Sequence, residues 1–384
     1  FLWGQSTASF LREHLLGAIV HASPQLMGPP VLELPFASYQ SGSGNTPGFK
    51  TRYANRPTVA YVATSEGLLH AFTVAARGGT PAAATLGKEI FAFLPRSLQP
   101  TVRYLEDELY RNALLDGTPL VRDVRLRAVP DAPTQEKWIT LLTAGAGNSG
   151  QFYYALNVTD PLTVANNPTG LTEGQPHWLW ELADPQTLGY TSGRPAVGHL
   201  LLSEQGTVTE IAAVFLPGGK SSGVGNAGRS LYVVTAAPDP AVAGSPRILR
   251  LFGPGATATS DALTYPLVGT PVAYGTLPGQ PTSRVFVGDA GGRLLRLDTS
   301  ATDPSKWTLR VFYDPYAGQA ESLRRPAFFE PSLSLNTVGD LVVIYGTGDP
   351  DNPYDNRGNH KLISLTETYS LTPGGTVQVT SASA

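Results

Sequence analysis

Apolar residues in this chain come in short runs rich in Val, Ile, Leu, Tyr and Phe, broken by Gly, Pro, Asn, Asp and Ser. Residues 56–95 read RPTVAYVATSEGLLHAFTVAARGGTPAAATLGKEIFAFLP and set the pattern. Residues 59–63 form a continuous β-branched and aromatic run, which suits a strand buried on both faces. A polar turn at Ser65, Glu66 and Gly67 leads to a second strand over 68–74, and a small-residue loop to a third over 89–94. Strands joined by turns, with no helix between them, pair antiparallel as a meander rather than as a parallel crossover.

The same group recurs along the chain. Residues 116–125, 138–145, 151–158 and 177–182 make a second copy, and 194–202, 210–216, 229–236 and 247–252 a third. Residues 270–276, 284–289, 292–298 and 307–313 make a fourth, and 325–334, 340–346 and 360–366 begin a fifth. Each copy opens on a small or basic residue before proline: Ser23-Pro24, Thr118-Pro119, Arg194-Pro195, Thr270-Pro271 and Arg325-Pro326, at intervals of 95, 76, 76 and 55 residues. Proline suits the first residue of a strand, where the missing donor costs least. Four-stranded units that must each bury a face against a neighbour predict an all-β fold, a β-propeller of antiparallel blades, with a two-sheet sandwich as the alternative. Five blades are legible and seven are expected, with degenerate ones inside the long connectors. Residues 1–384 then form a single propeller domain.

Helical periodicity is local. Phe10, Leu11, Leu15 and Leu16 predict a short helix over 7–20 that ends near Gly17, and Val102, Leu105, Leu109 and Leu115 predict a helical insertion over 98–115. Residues 217–228 are dense in turn formers and read as a surface loop, and 367–384 as a polar tail, with the alternation of Val377 and Val379 leaving an edge or closing strand as the alternative.

Composition narrows the functional classes. Apolar content of 41% with 15% charged residues excludes a disordered chain, and 41 Gly with 33 Pro fit many turns. The 27 basic residues are scattered and the net charge is −3, so no basic stripe marks a nucleic-acid surface. Cysteine is absent, which removes disulfide and thiolate chemistry. No apolar run is long enough to span a bilayer. The chain opens on Phe1 without a signal peptide or initiating methionine, as a fragment of a longer or processed protein would.

Candidate chemistry is thin, and no catalytic or cofactor-binding residue is assigned. The histidines His14, His21, His70, His177, His199 and His360 fall at no metal-ligand spacing, and His70 reads as a buried structural residue. The GAGNSG run over 145–150 lacks the lysine and following helix of a phosphate loop. Asp160 and Asp184, each before proline, read as turn formers, and Asp289 and Asp298 occupy matching turn and strand-end positions. The weak metal candidates are Asp349, Asp351 and Asp355 in the DPDNPYDNRGN loop, whose hard oxygens suit Ca²⁺ although the EF-hand spacing is not met.

Several motifs in order carry a resemblance: FLREHLLGAIVHASPQLMGPP over 10–30, YVATSEGLLHAF over 61–72, GKEIFAFLP over 87–95, LDGTPLVRDV over 115–124, WITLLTAGAGNSGQFYYALNVTDP over 138–161, GYTSGRPAV over 189–197 and VFVGDAGGRLLRLD over 285–298. Together they resemble the C-terminal propeller domain of the PilY family of type IV pilus proteins. The resemblance implies a secreted, cell-surface protein at the pilus tip or outer membrane, without enzymatic activity. It further implies a scaffold for pilus assembly, adhesion and twitching motility, in some members with DNA uptake. Expected partners are minor pilins and, through an N-terminal adhesive region outside this sequence, a host or abiotic surface. The family's acidic calcium loop corresponds to AYGTLPGQPTSR over 273–284, which has no carboxylate, and the family's Gly-Asp is Gly17-Ala18 here. Two other classes stand beside this reading: a propeller that itself binds glycan or DNA, and a quinone-dependent dehydrogenase, which shares the turn-Gly-x-Leu-x-Ala-Phe blade pattern but needs a carboxylate and calcium set not found here.

Overall fold

The computed structural model describes residues 16–42, 47–75, 86–101, 113–128, 137–160, 178–254, 263–275, 277–352, 354, 359–371 and 377–383. Twenty strands fall into five antiparallel four-stranded meanders in chain order. The first holds β1 (Gln25–Met27), β2 (Thr58–Ala63), β3 (Leu69–Ala75) and β4 (Glu89–Phe93). The second holds β5 (Leu120–Ala128), β6 (Lys137–Gly145), β7 (Phe152–Asn157) and β8 (Trp178–Ala183). The third holds β9 (Ala196–Glu204), β10 (Thr207–Pro217), β11 (Leu231–Pro238) and β12 (Pro246–Phe252). The fourth holds β13 (Val272–Tyr274), β14 (Arg284–Gly288), β15 (Leu294–Asp298) and β16 (Thr308–Tyr313), and the fifth β17 (Ser332–Leu335), β18 (Leu341–Gly346), β19 (Leu362–Leu371) and β20 (Val377–Ser383). β10 also pairs briefly with β5, at Glu210 with Ala128 and Ile211 with Arg127, which links the second and third meanders.

Side-chain alternation explains why the central strands are apolar at nearly every position. In β6, Ile139 and Leu141 point into a core shared with the third meander, whereas Leu142 and Ala144 point into a core shared with the first. β14 divides in the same way: Val285 and Val287 face the third meander and Phe286 faces the fifth. Four such cores join the five meanders in sequence, so each inner meander is buried on both faces. Every fully buried Val, Leu, Ile or Phe in them stabilises the fold by about 1.5–3 kcal/mol. No meander has this stabilisation alone. That dependence is the physical content of a propeller, in contrast to a two-sheet sandwich.

The repeated prolines take up the expected place. Pro24, Pro119, Pro195 and Pro271 each sit immediately before the first residue of β1, β5, β9 and β13. Pro326 departs from this, since β17 starts only at Ser332 and Ala327 makes an isolated bridge to Gly348. The residue before proline also clasps neighbouring units together. The Ser23 N–H donates to Thr118 Oγ1 at 3.0 Å, and the Arg194 N–H donates to Thr270 Oγ1 at 3.2 Å.

Second-to-third-strand turns in the first and fourth meanders are equivalent. The Thr64 N–H donates to the Leu68 carbonyl at 3.0 Å, and the Asp289 N–H donates to the Arg293 carbonyl at 3.1 Å. The left-handed position falls on Gly67 (φ +90°) in one and on Gly292 (φ +80°) in the other.

Other expectations shift. Residues 377–383 form β20, the outer strand of the fifth meander, as the edge-strand reading expected, and 367–371 belong to β19 and not to a polar tail. Residues 102–112 and 1–15 lie outside the described residues, and so does most of each expected helix; residues 96–98 form a single 3-10 turn, and 16–20 are not helical. The described residues carry five meanders, and the expected sixth and seventh are not among them. One α-helical turn, α1 (Phe49–Arg52), packs through Phe49 against Leu34, Tyr39 and Trp138.

Candidate functional site

Buried charge in this protein sits mainly at the seams between meanders. The GAGNSG turn holds an anion, but the anion is the chain's own: Asp116 Oδ1 accepts the Asn148 N–H at 2.7 Å, and its other oxygen lies 2.6 Å from His21 Nδ1. Asp123 and Arg56, both buried, share Thr140, while Arg56 also donates to the carbonyls of Gly28 and Thr159. Glu367, fully buried on β19, pairs with Arg284 and Arg296 of the fourth meander at 2.8 and 2.7 Å. Asp289 accepts the N–H groups of Gly291 and Arg293 and pairs with the Arg293 guanidinium at 2.7 Å. Burial pushes the Asp289 carboxyl up to about 6, against the pull of Arg293. The turn reading of Asp184 holds, since it accepts the Gln186 N–H, and Asp298 at the end of β15 accepts the Ser300 N–H in the same way.

His70 is buried, as its setting among apolar neighbours predicts, and carries an unforeseen pair of carboxylates. Its Nδ1 lies 2.6 Å from Glu89 Oε1, and its Nε2 lies 3.1 Å from Glu66 Oε1 and 3.2 Å from Thr64 Oγ1. Two carboxylates on opposite ring nitrogens are both satisfied only by an imidazolium, which donates at both. Burial opposes that charge, but the hydrogen bonds and negative charges of Glu66 and Glu89 outweigh it and hold His70 above its ordinary value. The carboxylates flank the ring instead of converging on one nitrogen, so the arrangement orders the turn and does not chelate. His199 is buried, with its Nε2 accepting the Arg125 N–H at 3.4 Å; His14 and His177 lie outside the described residues.

Protein cations reach both the DPDNPYDNRGN candidate and the position of the family's calcium loop, where no calcium is expected. In the 349–359 loop, Asp349 Oδ1 accepts the Asp351 N–H at 3.0 Å, and Asp351 pairs with Lys220, whose ammonium also donates to Asn148 Oδ1 at 2.8 Å. Asp355 lies outside the described residues. Glu210 of β10 reaches residues 277–283: its Oε1 accepts the Gly279 N–H at 2.9 Å, and its Oε2 pairs with Arg125 at 2.7 Å. Among the described residues no group of three or more His, Asp or Glu side chains converges as a metal site. With one carboxylate, already paired to arginine, the 277–283 loop does not fit Ca²⁺, which takes six to eight oxygens.

An open cleft of about 640 Å³ lies between β5, β13 and β17. Arg122 from β5, Val272 and Tyr274 from β13, and Glu330, Leu333 and Leu335 around β17 line it. Glu330 pairs with Arg194 at 2.5 Å. Burial lowers the Arg122 guanidinium below the usual arginine range, the nearby Glu330 charge opposes that, and Arg194 adds to it. Sequence reading missed Arg122. Its only signal was the alternation of charge along RDVRLR over 122–127, at positions where the neighbouring strands are apolar.

No family model matches the chain. Over 372 residues, 95% of the chain, it is 26% identical to a type IV pilus biogenesis factor PilY1 homolog of Xylella fastidiosa (strain Temecula1), and it covers 26% of that protein. Over 215 residues, 54% of the chain, it is 28% identical to PilY1 of Pseudomonas aeruginosa (strain UCBPP-PA14), covering 16% of it. The likeness is to PilY1. The crystal structure of the P. aeruginosa PilY1 C-terminal domain superposes with a TM-score of 0.56 at 21% identity, over 89% of the chain and 63% of that structure. The superposition supports the propeller fold, and the motif resemblance to the PilY family holds over nearly the whole chain. The chain spans about a quarter or less of the length of these PilY1 relatives. No helix among the described residues is long and apolar enough to cross a membrane.

Proposed function

We propose that this chain is a propeller scaffold in type IV pilus biogenesis, acting by binding and not by catalysis. The observation that carries the reading is the match to a PilY1 homolog over 95% of the chain, through all five meanders. The seams support it: carboxylates such as Asp116 and Glu367 are held by residues of a neighbouring element and serve rigidity. On this reading residues 1–384 act as one domain, exposed at the cell surface at the pilus tip or outer membrane, which joins an N-terminal adhesive region to minor pilins and supports attachment and twitching. In the bacterium that encodes it, in-frame deletion of this segment is expected to abolish surface pili and twitching, with restoration by the wild-type gene. Normal piliation with this segment deleted would overturn the proposal, as would failure of the full protein to co-purify with minor pilins under any condition.

A receptor role toward DNA or glycan is the second reading. Arg122, which lines the cleft with no hydrogen-bond partner among the described residues, is the observation in its favour. Salt-dependent retention on a DNA column, lost in Arg122→Gln, would support DNA binding over assembly.

A further inference from the structure

The cleft between β5, β13 and β17 brings together three features that no seam shares. First, β13 and β17 each pair on one side alone, with β14 and β18, so among the described residues their opposite edges present unpaired backbone N–H and carbonyl groups. An unpaired edge is a template for another strand. Second, the walls alternate in character: Leu333 and Leu335 are apolar and Ser332 and Ser334 polar, and Leu335 is 56% exposed. Third, the cleft carries unequal charge. Glu330 is tied to Arg194, whereas Arg122 has no hydrogen-bond partner among the described residues. Arg122 lines the cleft and is drawn to Glu330 only through space, so its fork is free for a partner, and a carboxylate is the group whose geometry matches it.

We propose that this cleft binds an extended peptide segment carrying a carboxylate. The segment adds as a strand along the free edge of β17, its alternate side chains lie against Val272, Leu333 and Leu335, and its carboxylate pairs with Arg122. The mode is strand addition, in which backbone hydrogen bonds give affinity and the side-chain and charge contacts give selectivity. A volume of about 640 Å³ is in the range of sites that enclose a short ligand. The inference uses the cleft alone and stands apart from the pilus assignment.

The test uses the whole chain and fluorescein-labelled Thr-Val-Thr-Val-Asp, with the Asn amide of the same peptide as neutral counterpart. Fluorescence anisotropy should rise saturably with the acid peptide. The amide should bind about tenfold or more weakly, the scale of a charge-assisted hydrogen bond. Arg122→Gln should reduce acid-peptide binding by a similar factor and leave the amide unchanged. Arg122→Lys, which keeps the charge and loses the fork, should fall between, and Lys306→Gln should bind as wild type. Circular dichroism and thermal melting report whether each variant is folded; if Arg122→Gln is not, the two peptides and Arg122→Lys decide the matter. Equal binding of the two peptides would overturn the proposal, as would absence of saturable binding up to about 1 mM, the weak limit of specific recognition. Displacement of the acid peptide by glucuronate as readily as by unlabelled peptide would also overturn it, because the site would then read an anion without a strand.

Discussion

Replacing Gly292 with alanine tests whether the turn that closes the fourth meander is held by its contact with the fifth. Gly292 has φ +80°, where a side chain costs about 1–2 kcal/mol whatever the space around it. A Cβ built there would lie 2.3 Å from the Arg325 carbonyl oxygen and 2.6 Å from Tyr316 Cε2. The carbonyl belongs to the segment that opens the fifth meander, and Arg325 is 1% exposed, so it has nowhere to retreat. Overpacking of this kind adds about 1–3 kcal/mol, giving a loss of about 2–5 kcal/mol in all. Gly206→Ala is the control: φ is +81° and nothing lies within 4 Å of the added Cβ, so the backbone contribution of about 1–2 kcal/mol stands alone. Gly67→Ala should fall between, since its Cβ would meet Leu114 Cβ at 3.2 Å. Urea unfolding followed by tryptophan fluorescence and compared at unchanged slope reads the difference. Equal losses for Gly292→Ala and Gly206→Ala would refute the idea that these turns are clamped by the next meander.

Other substitutions probe the seams. Glu367→Gln strips the fully buried partner from Arg284 and Arg296 and should cost about 3–5 kcal/mol in urea unfolding, with fluorescence and circular dichroism reporting it. Thr118→Val and Thr270→Val each remove an acceptor for the N–H of the preceding repeated opening and should cost about 0.5–1.5 kcal/mol; a larger loss in the double mutant than the sum would show that the clasps act together. His70→Gln should destabilise in acid and converge with wild type as pH rises. With its folded value raised, His70 contributes fully below the unfolded histidine value of about 6.5 and loses that contribution through its higher folded value. A pH-independent difference in melting temperature between the two proteins would exclude the imidazolium between Glu66 and Glu89.

The strands were legible because their two-sided burial leaves a strong signature. A run such as TVAYVA or RVFVG has no polar face to confuse with a helix, and the second and third strands of each meander fall within a few residues of their predicted limits. The first strands were less legible. β13 and β17 are three and four residues long, and the extended segments before them are mostly unpaired, which apolar pattern alone does not reveal. Adjacent glycines also obscured the turn: Gly291 and Gly292 look equivalent in sequence, and only the Gly292 N–H bond to the Asp289 carbonyl puts the left-handed residue at the second. The polar seams were least legible of all. Asp116 finds His21 across 95 positions and Glu210 finds Arg125 across 85, separations that no local spacing encodes.

Those long-range pairs bear on the two loops whose position or composition suggested calcium. Buried or clustered carboxylates favour a nearby positive charge, and a metal ion is only one way to provide it. Here Lys220 reaches from the third meander to Asp351 beside the fifth, and Arg125 reaches from the second to Glu210 of the third, which in turn orders Gly279 beyond the fourth meander's first strand. A covalently tethered cation is present at every metal concentration and ties its loop to a particular neighbour. The order of these loops therefore follows from the folding of the meanders around them. With Asp351 paired to Lys220 and Glu210 to Arg125, adding Ca²⁺ or EGTA is expected to leave the thermal melting of the protein unchanged, and a calcium-dependent rise in melting temperature would refute this account.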